Sequence, residues 1–164
     1  MSDAKPIDVA VLMGSPSDWD TMQHCSAMLT DLGVAHECRA ISAHRQPAQL
    51  HAFIEDAESR GVKVFIGAAG GAAHLPGVLA STTACPVLGV PMKGWSTGGV
   101  DALMSIAQMP AGVPVGSLAI GKAGAKNAAI LAAQIVAVGN EAARESVAKF
   151  RKAQSEKITE LPSS

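Results

Sequence analysis

Chemically useful side chains are concentrated in three short segments, residues 14–18 (GSPSD), 42–45 (SAHR) and 70–76 (GGAAHLP). Each segment follows a short apolar run and leads into a helix-like pattern, as strand–loop–helix units do. If the three runs are neighbouring parallel strands, the segments lie together at the carboxyl edge of one sheet, where such folds bind ligands. This inventory suits an enzyme that acts on a small phosphorylated metabolite.

The first segment and Arg45 carry groups that suit a phosphorylated ligand. Ser15 and Ser17 precede a predicted helix start, where hydroxyl and backbone N–H groups can donate to phosphate oxygens. Arg45 adds a planar guanidinium that pairs well with the same group. Asp18 would be repelled by phosphate, so we assign it to neutral donors such as a ribose diol. An interpretation of equal weight is that Ser17 or Asp18 only caps the helix.

Two histidines are candidates for proton transfer or for orienting a ligand. His44 lies in a loop rather than on an apolar face, and an imidazole can carry a proton in both directions near neutral pH. It could equally hydrogen-bond its own loop. For His74 a structural or ligand-orienting role is favoured over catalysis. The small residues at 70–73 could offer backbone N–H groups to a carboxylate, or they could only permit a tight turn.

The surrounding pattern predicts an α/β fold in which five strands alternate with helices. The alternation is typical of a three-layer α/β/α sandwich with a parallel sheet, commonly in the order 2-1-3-4-5. The first helix starts near Trp19, the second starts at Pro47 and ends before Gly61, and the last runs over about 140–158. That last helix lies beyond the alternation, so we expect it to contact another subunit. The predicted strands are 7–13, 34–41, 62–69, 87–90 and 113–120.

Composition predicts a single domain over residues 1–164, with its core at about 7–138. Hydrophobic residues make up 48% and charged residues only 16%, so we expect other subunits to cover some of the apolar surface. The scarcity of aromatic residues and the net charge of −1 argue against nucleic acid as a partner. No secretion signal or membrane span is evident, which indicates a cytoplasmic protein that does not bind membranes.

The sequence also argues against several kinds of cofactor site. No G-x-G-x-x-G or P-loop motif stands after a predicted strand, and no group of residues has metal-ligand spacing. We therefore expect neither a cofactor nor a metal. The three cysteines, Cys25, Cys38 and Cys85, are widely spaced and are expected to be reduced and mostly buried. Lys122 could touch the site or be a surface charge.

Taken together with the segments 108–110 (QMP) and 118–124 (LAIGKAG), these motifs closely resemble the PurE family, class I, the N5-carboxyaminoimidazole ribonucleotide mutases of purine biosynthesis. The likeness runs from about residue 7 to residue 152. It implies a flavodoxin-like fold and a homo-octamer whose C-terminal helices reach neighbouring subunits. It also implies a cofactor-free reaction that forms 4-carboxy-5-aminoimidazole ribonucleotide by decarboxylation and recarboxylation at carbon 4, with CO2 as an intermediate.

The resemblance also implies roles for individual residues. By position, His44 corresponds to the acid–base histidine and His74 lies beside the carboxylate. Ser15, Asp18 and Arg45 correspond to nucleotide-binding residues. We accordingly predict His44 and His74 as catalytic residues, and the following as substrate-binding residues: Gly14, Ser15, Ser17, Asp18, Ser42, Ala43, Arg45, Gly70, Gly71, Ala72 and Leu75.

Other functions fit the sequence less well. A related carboxylase subgroup uses free CO2 and aminoimidazole ribonucleotide, but it typically carries lysine after the loop histidine, so Arg45 favours the mutase. Gln46, where the family commonly has threonine, and the unusual segment 93–97 (KGWST) are departures that could change loop closure or affinity. A receiver domain would need more acidic residues after strands 1 and 3. A flavin carrier would need aromatic residues to sandwich its ring.

Overall fold

The protein is a five-stranded parallel sheet covered by helices on both faces, as predicted. The structure is a computed structural model that describes residues 5–94 and 96–157. The strands are β1 Val9–Met13, β2 His36–Ala40, β3 Val64–Ala69, β4 Val87–Pro91 and β5 Gly116–Ser117. The helices are α1 Trp19–Asp31, α2 Pro47–Ser59, α3 His74–Thr82, α4 Val100–Ala107, α5 Lys122–Val136 and α6 Glu141–Ser155, with a 3-10 turn at Pro16–Asp18.

The strand order is β2-β1-β3-β4-β5, and every pair is parallel. Alternate residues of β1 point to opposite faces of the sheet, which gives two apolar layers. Val9, Val11 and Met13 pack with α1, α5 and α6 on one face. Ala10 and Leu12 pack with α2, α3 and α4 on the other face. The predicted three-layer sandwich and its order 2-1-3-4-5 are confirmed.

The burial of each strand follows its place in the sheet. Every residue of β1, β3 and β4 is buried, as expected for strands covered on both faces. The strand β2 lies at the edge and is only partly covered, which matches its alternating sequence. At its carboxyl end the Ile41 N–H still donates to the Met13 carbonyl at 2.9 Å. The loops after β1, β2 and β3 therefore leave the sheet side by side.

The prediction of a fifth strand over 113–120 is wrong in extent, because β5 contains only Gly116 and Ser117. They pair with Leu88 and Gly89 of β4. Pro114 has no N–H to give to a ladder, so regular pairing cannot start before it. The strand β4 also differs slightly, since it includes Pro91 rather than stopping before it. Pro91 needs no N–H partner of its own there, and its carbonyl accepts from the Gly121 N–H at 2.9 Å.

The last helix packs part of its apolar face on its own chain. Ala143 and Val147 are buried with the residues of α5, and the Asn140 side chain caps the helix by accepting from the Ala143 N–H at 3.1 Å. The predicted end at residue 158 lies outside the described residues. Within the described part, none of the helices is long and apolar enough to cross a bilayer. All three cysteines are free thiols, with Cys25 buried and Cys38 and Cys85 partly buried.

Candidate active site

The three polar segments line one cavity at the carboxyl edge of β1, β2 and β3. The cavity has a volume of about 580 Å³, enough for a small nucleotide. All thirteen residues predicted for the site lie on its wall, so the convergence expected from the strand order is observed. Two further residues line the cavity, Ala73, which the sequence analysis included only within the segment 70–73, and Ala69, which it did not consider. Ala69 is the last residue of β3, and its methyl side chain gives no sequence signal for a role in binding.

The first segment forms a compact turn around Ser15. The Ser17 N–H donates to Ser15 Oγ at 3.2 Å, and the two hydroxyl oxygens lie 2.8 Å apart. Ser15 therefore caps the short 3-10 turn that precedes α1. Asp18 stands at the N-cap of α1 but makes no capping hydrogen bond with its side chain. The interpretation that Asp18 only caps the helix is thus not supported, and the residue lines the cavity.

Burial affects the charge of Asp18. Removal from water raises the pKa of its carboxyl above the ordinary value, and a hydrogen bond from the backbone of Ser15 opposes part of that rise. At neutral pH the ionised carboxylate therefore destabilises the folded state relative to the unfolded state. Such a group becomes more favourable when a ligand supplies hydroxyl donors.

Replacing Asp18 with asparagine is expected to raise the melting temperature at neutral pH. Asparagine resembles the protonated acid, so it removes the cost of holding a charge in this position. Because the pKa of the folded carboxyl is raised, the gain should shrink as the pH falls through that raised value and the native Asp18 protonates. Thermal unfolding of Asp18→Asn and the native protein across the acidic range measures both effects.

The control for this prediction is Asp20→Asn, two residues further along and exposed. It should show no comparable gain at neutral pH. A melting temperature of Asp18→Asn below that of the native protein at neutral pH would show that the ionised Asp18 stabilises the fold. It would refute the proposed destabilisation.

The second segment crosses toward the first. The Arg45 guanidinium Nη2 donates to the carbonyl oxygen of Gly14, the residue before Ser15, at 3.4 Å. Ser42 is buried, and its Oγ accepts from the Arg45 N–H at 3.3 Å. Serine hydroxyls and a guanidinium thus stand together, a suitable arrangement for a phosphate group.

His44 and His74, thirty residues apart in sequence, are in direct contact. His44 Nε2 lies 2.6 Å from His74 Nδ1, and the rings meet edge to face at 86° with their centroids 4.8 Å apart. Two nitrogens at that distance share one proton, so one ring donates while the other accepts. The sequence could not show this contact, because it depends on how two separate loops are placed.

An unusual backbone conformation brings His74 into position. Ala73 has φ of 45°, in the left-handed region that residues with a Cβ rarely adopt. Gly71 has φ of 61°, and the Ala73 N–H donates to the Gly70 carbonyl at 3.0 Å. This tight turn makes His74 the first residue of α3 and places the positive end of that helix at the cavity. Strain retained next to a cavity is typical of a functional site.

Other candidates lie away from the cavity. Lys122 is exposed at the start of α5 and is not part of the wall. His36 is the first residue of β2, and its Nε2 lies 2.8 Å from the hydroxyl of Ser26 on α1, so it has a structural partner. The segment 93–97 contributes no lining residue among those described, and Trp95 lies outside them. In the described ranges, no cluster of three or more histidine, cysteine or acidic residues could hold a metal ion.

The chain is similar along nearly its whole length to known proteins. The model of the family described as AIR carboxylase matches residues 8–157. N5-carboxyaminoimidazole ribonucleotide mutase from Brucella melitensis is 52% identical over 157 residues, covering 96% of this chain and 97% of that relative. The enzyme of the same name from Escherichia coli K12 is also 52% identical, covering 96% of this chain and 93% of the relative.

Solved structures agree with the sequence comparison. The crystal structure of Treponema denticola PurE superposes with a TM-score of 0.83 at 26% identity, covering 92% of each chain. A family model, relatives at 52% identity and a matching solved fold all lead to the same assignment. The chain belongs to the AIR carboxylase family.

Proposed function

We propose that this protein is an N5-carboxyaminoimidazole ribonucleotide mutase of de novo purine biosynthesis. The observation that carries the proposal is the contact between His44 and His74 in a cavity that also holds Ser15, Asp18 and Arg45. The names of the relatives at 52% identity support it. One site thus contains groups for phosphate, for ribose and for proton transfer.

The nucleotide is bound by the first two segments. Ser15, Ser17 and the Arg45 guanidinium donate to the phosphate oxygens, and Asp18 accepts from the ribose hydroxyls. The guanidinium is already held at the Gly14 carbonyl, so little side-chain freedom is lost when the phosphate arrives. The small residues 70–72 leave room for the imidazole ring and its carboxylate beside the histidine pair.

The reaction needs one proton to be delivered and one to be taken back. His44 protonates the exocyclic nitrogen of the substrate as the nitrogen–carboxylate bond breaks and CO2 leaves. Carbon 4 of the imidazole ring then attacks the CO2, which forms the new carbon–carbon bond. The proton displaced from carbon 4 returns to His44, so the residue ends as it began. Retention of the CO2 until carbon 4 attacks it requires the pocket to exclude water while the reaction runs.

His74 fixes the orientation and tautomer of His44. Only one proton fits between the two nitrogens, so in the neutral pair the outer nitrogens of the two rings take opposite roles. When His44 donates to His74, the outer nitrogen of His44 carries the extra proton before the first step and is a base after it, while the outer nitrogen of His74 stays a donor available to a carboxylate. The positive end of α3 favours the same negative charge. No cofactor is needed for these steps.

The assembly and the location of the protein belong to the same proposal. Val100 and Met104 of α4 are 53% and 50% exposed, although both are large and apolar. Such side chains on one helix favour coverage by other copies of the chain. We propose a cytoplasmic homo-octamer in which each chain is a single catalytic domain over 1–164. The exposed side of α6, within about 140–158, would contribute oligomer contacts. The small nucleotide substrate is its partner, with no role for nucleic acid or membrane.

An ultraviolet assay with two substrate mixtures tests the proposed function. The purified protein should convert N5-carboxyaminoimidazole ribonucleotide without ATP, biotin or added metal. It should be much slower with aminoimidazole ribonucleotide plus bicarbonate, which supplies CO2 from solution. Faster turnover of the second mixture would instead identify a carboxylase. No turnover of either mixture would refute both functions.

A further inference from the structure

Gln46 closes the loop that carries His44 and Arg45. The loop begins at Ser42, two residues after the end of β2, and ends where α2 starts at Pro47. Gln46 stands at the N-cap position of α2, and its carbonyl accepts from the Leu50 N–H at 3.0 Å. It therefore joins the loop to the helix that follows.

Three hydrogen bonds connect the two ends of this loop. The Gln46 N–H donates to the Ser42 carbonyl at 2.8 Å, and the Arg45 N–H donates to Ser42 Oγ at 3.3 Å. In the third bond the side chain of Gln46 takes part, since its Oε1 accepts from the Ser42 N–H at 3.1 Å. Ala43, His44 and Arg45 are thus held between two residues that bind each other in both directions.

The direction of the Gln46 side chain is informative. A residue at the N-cap normally uses its side chain to accept from an N–H of the helix it begins. Gln46 makes no such bond, and its side chain turns back into the loop instead. Ser42 is only 6% exposed, so removing the Gln46 oxygen would leave a buried N–H without a hydrogen-bond acceptor. The bond therefore stabilises the loop rather than the helix.

We infer that Gln46 is a positioning residue, whose side-chain oxygen holds His44 against His74 and Arg45 against Gly14. This inference rests on the proposed function, since the two positioned residues are those given the proton transfer and the phosphate. The contact of His44 with His74 is 2.6 Å long, and that of Arg45 with Gly14 is 3.4 Å long. A small movement of the loop would break either one. A displacement of about 1 Å at a reacting group can cost about 100-fold in rate.

The test compares Gln46→Met with Gln46→Glu. Methionine keeps the length of the side chain but has no strong acceptor, whereas glutamate keeps an acceptor oxygen for the Ser42 N–H. In the mutase assay, Gln46→Met should lower kcat about tenfold or more and raise KM, because His44 and Arg45 both shift. Gln46→Glu should recover most of kcat. Gln49→Met, an exposed position on the same helix, is the matched control and should behave like the native protein.

Crystal structures of the native protein and Gln46→Met separate positioning from a merely structural role. The expected result is a longer distance from His44 Nε2 to His74 Nδ1 in the variant. Native kcat and KM in Gln46→Met would overturn the inference. So would a loss of rate with the two rings still in contact, or a Gln46→Glu variant as impaired as Gln46→Met. If the native protein turns over nothing, the proposed function fails, while the crystal structures still decide whether Gln46 places His44.

Discussion

Replacing His44 with asparagine is expected to lower kcat roughly 10⁴-fold, the upper end of what one acid–base group contributes. The same imidazole delivers the proton in the first step and removes it in the second, so its loss affects both. Asparagine retains a polar group of similar reach but does not titrate near neutral pH. Nucleotide binding should change little, because the phosphate and ribose contacts belong to Ser15, Asp18 and Arg45.

Two measurements are needed to interpret the His44→Asn variant. Steady-state kinetics gives kcat, and calorimetric titration with the nucleotide gives its dissociation constant. His51→Asn is the matched control, since His51 is exposed on α2 and does not line the cavity. Normal turnover by His44→Asn would remove His44 from the mechanism. A large loss of affinity with kcat unchanged would make it a binding residue instead.

Much of the site was predictable because strand order determines which loops meet. Apolar runs at 7–13, 34–41 and 62–69 are each followed by a polar or glycine-rich segment. In a parallel sheet of order β2-β1-β3, those segments must leave the same edge side by side. The hydrophobic pattern and that strand order together therefore place Ser15, His44 and His74 near one another.

The details that sequence could not supply depend on local backbone geometry. Ser15 rather than Ser17 or Asp18 is the capping residue, because a 3-10 turn precedes α1. The contact between His44 and His74 depends on the left-handed backbone conformation of Ala73. Alanine rarely adopts that conformation, so the sequence does not predict it. Ala73 also lines the cavity, and its positive φ is visible only in the structure.

The fifth strand shows the same limit at the level of a whole element. Residues 113–120 are apolar enough to predict a strand, but hydrophobicity does not reveal how many N–H groups can pair. Pro114 cannot donate, and only Gly116 and Ser117 form a regular ladder with β4. The Leu118 N–H still donates to the Gly89 carbonyl at 2.9 Å, so the chain continues alongside the sheet without regular strand geometry.

Replacing Gly124 with alanine is expected to destabilise the fold by about 3 kcal/mol or more, or to prevent folding. Gly124 lies in the first turn of α5, where the chain has just turned back at Gly121 with φ of 72°. A Cβ on Gly124 would lie 1.6 Å from the carbonyl oxygen of Ala119, so the backbone itself would have to move. Helix propensity predicts the opposite sign, since alanine is favoured over glycine by about 1 kcal/mol. The clash is the larger effect.

Urea unfolding of Gly124→Ala against the native protein measures the difference in free energy. Gly139→Ala is the matched control, because Gly139 lies in the turn between α5 and α6 and a Cβ there would meet nothing within 4 Å. That control should unfold close to the native midpoint, whereas Gly124→Ala should unfold far below it or be insoluble. A stability of Gly124→Ala equal to or above the native value would show that α5 is not packed against Ala119. The position of α5, whose buried alanines cover one face of the sheet, would then have to be revised.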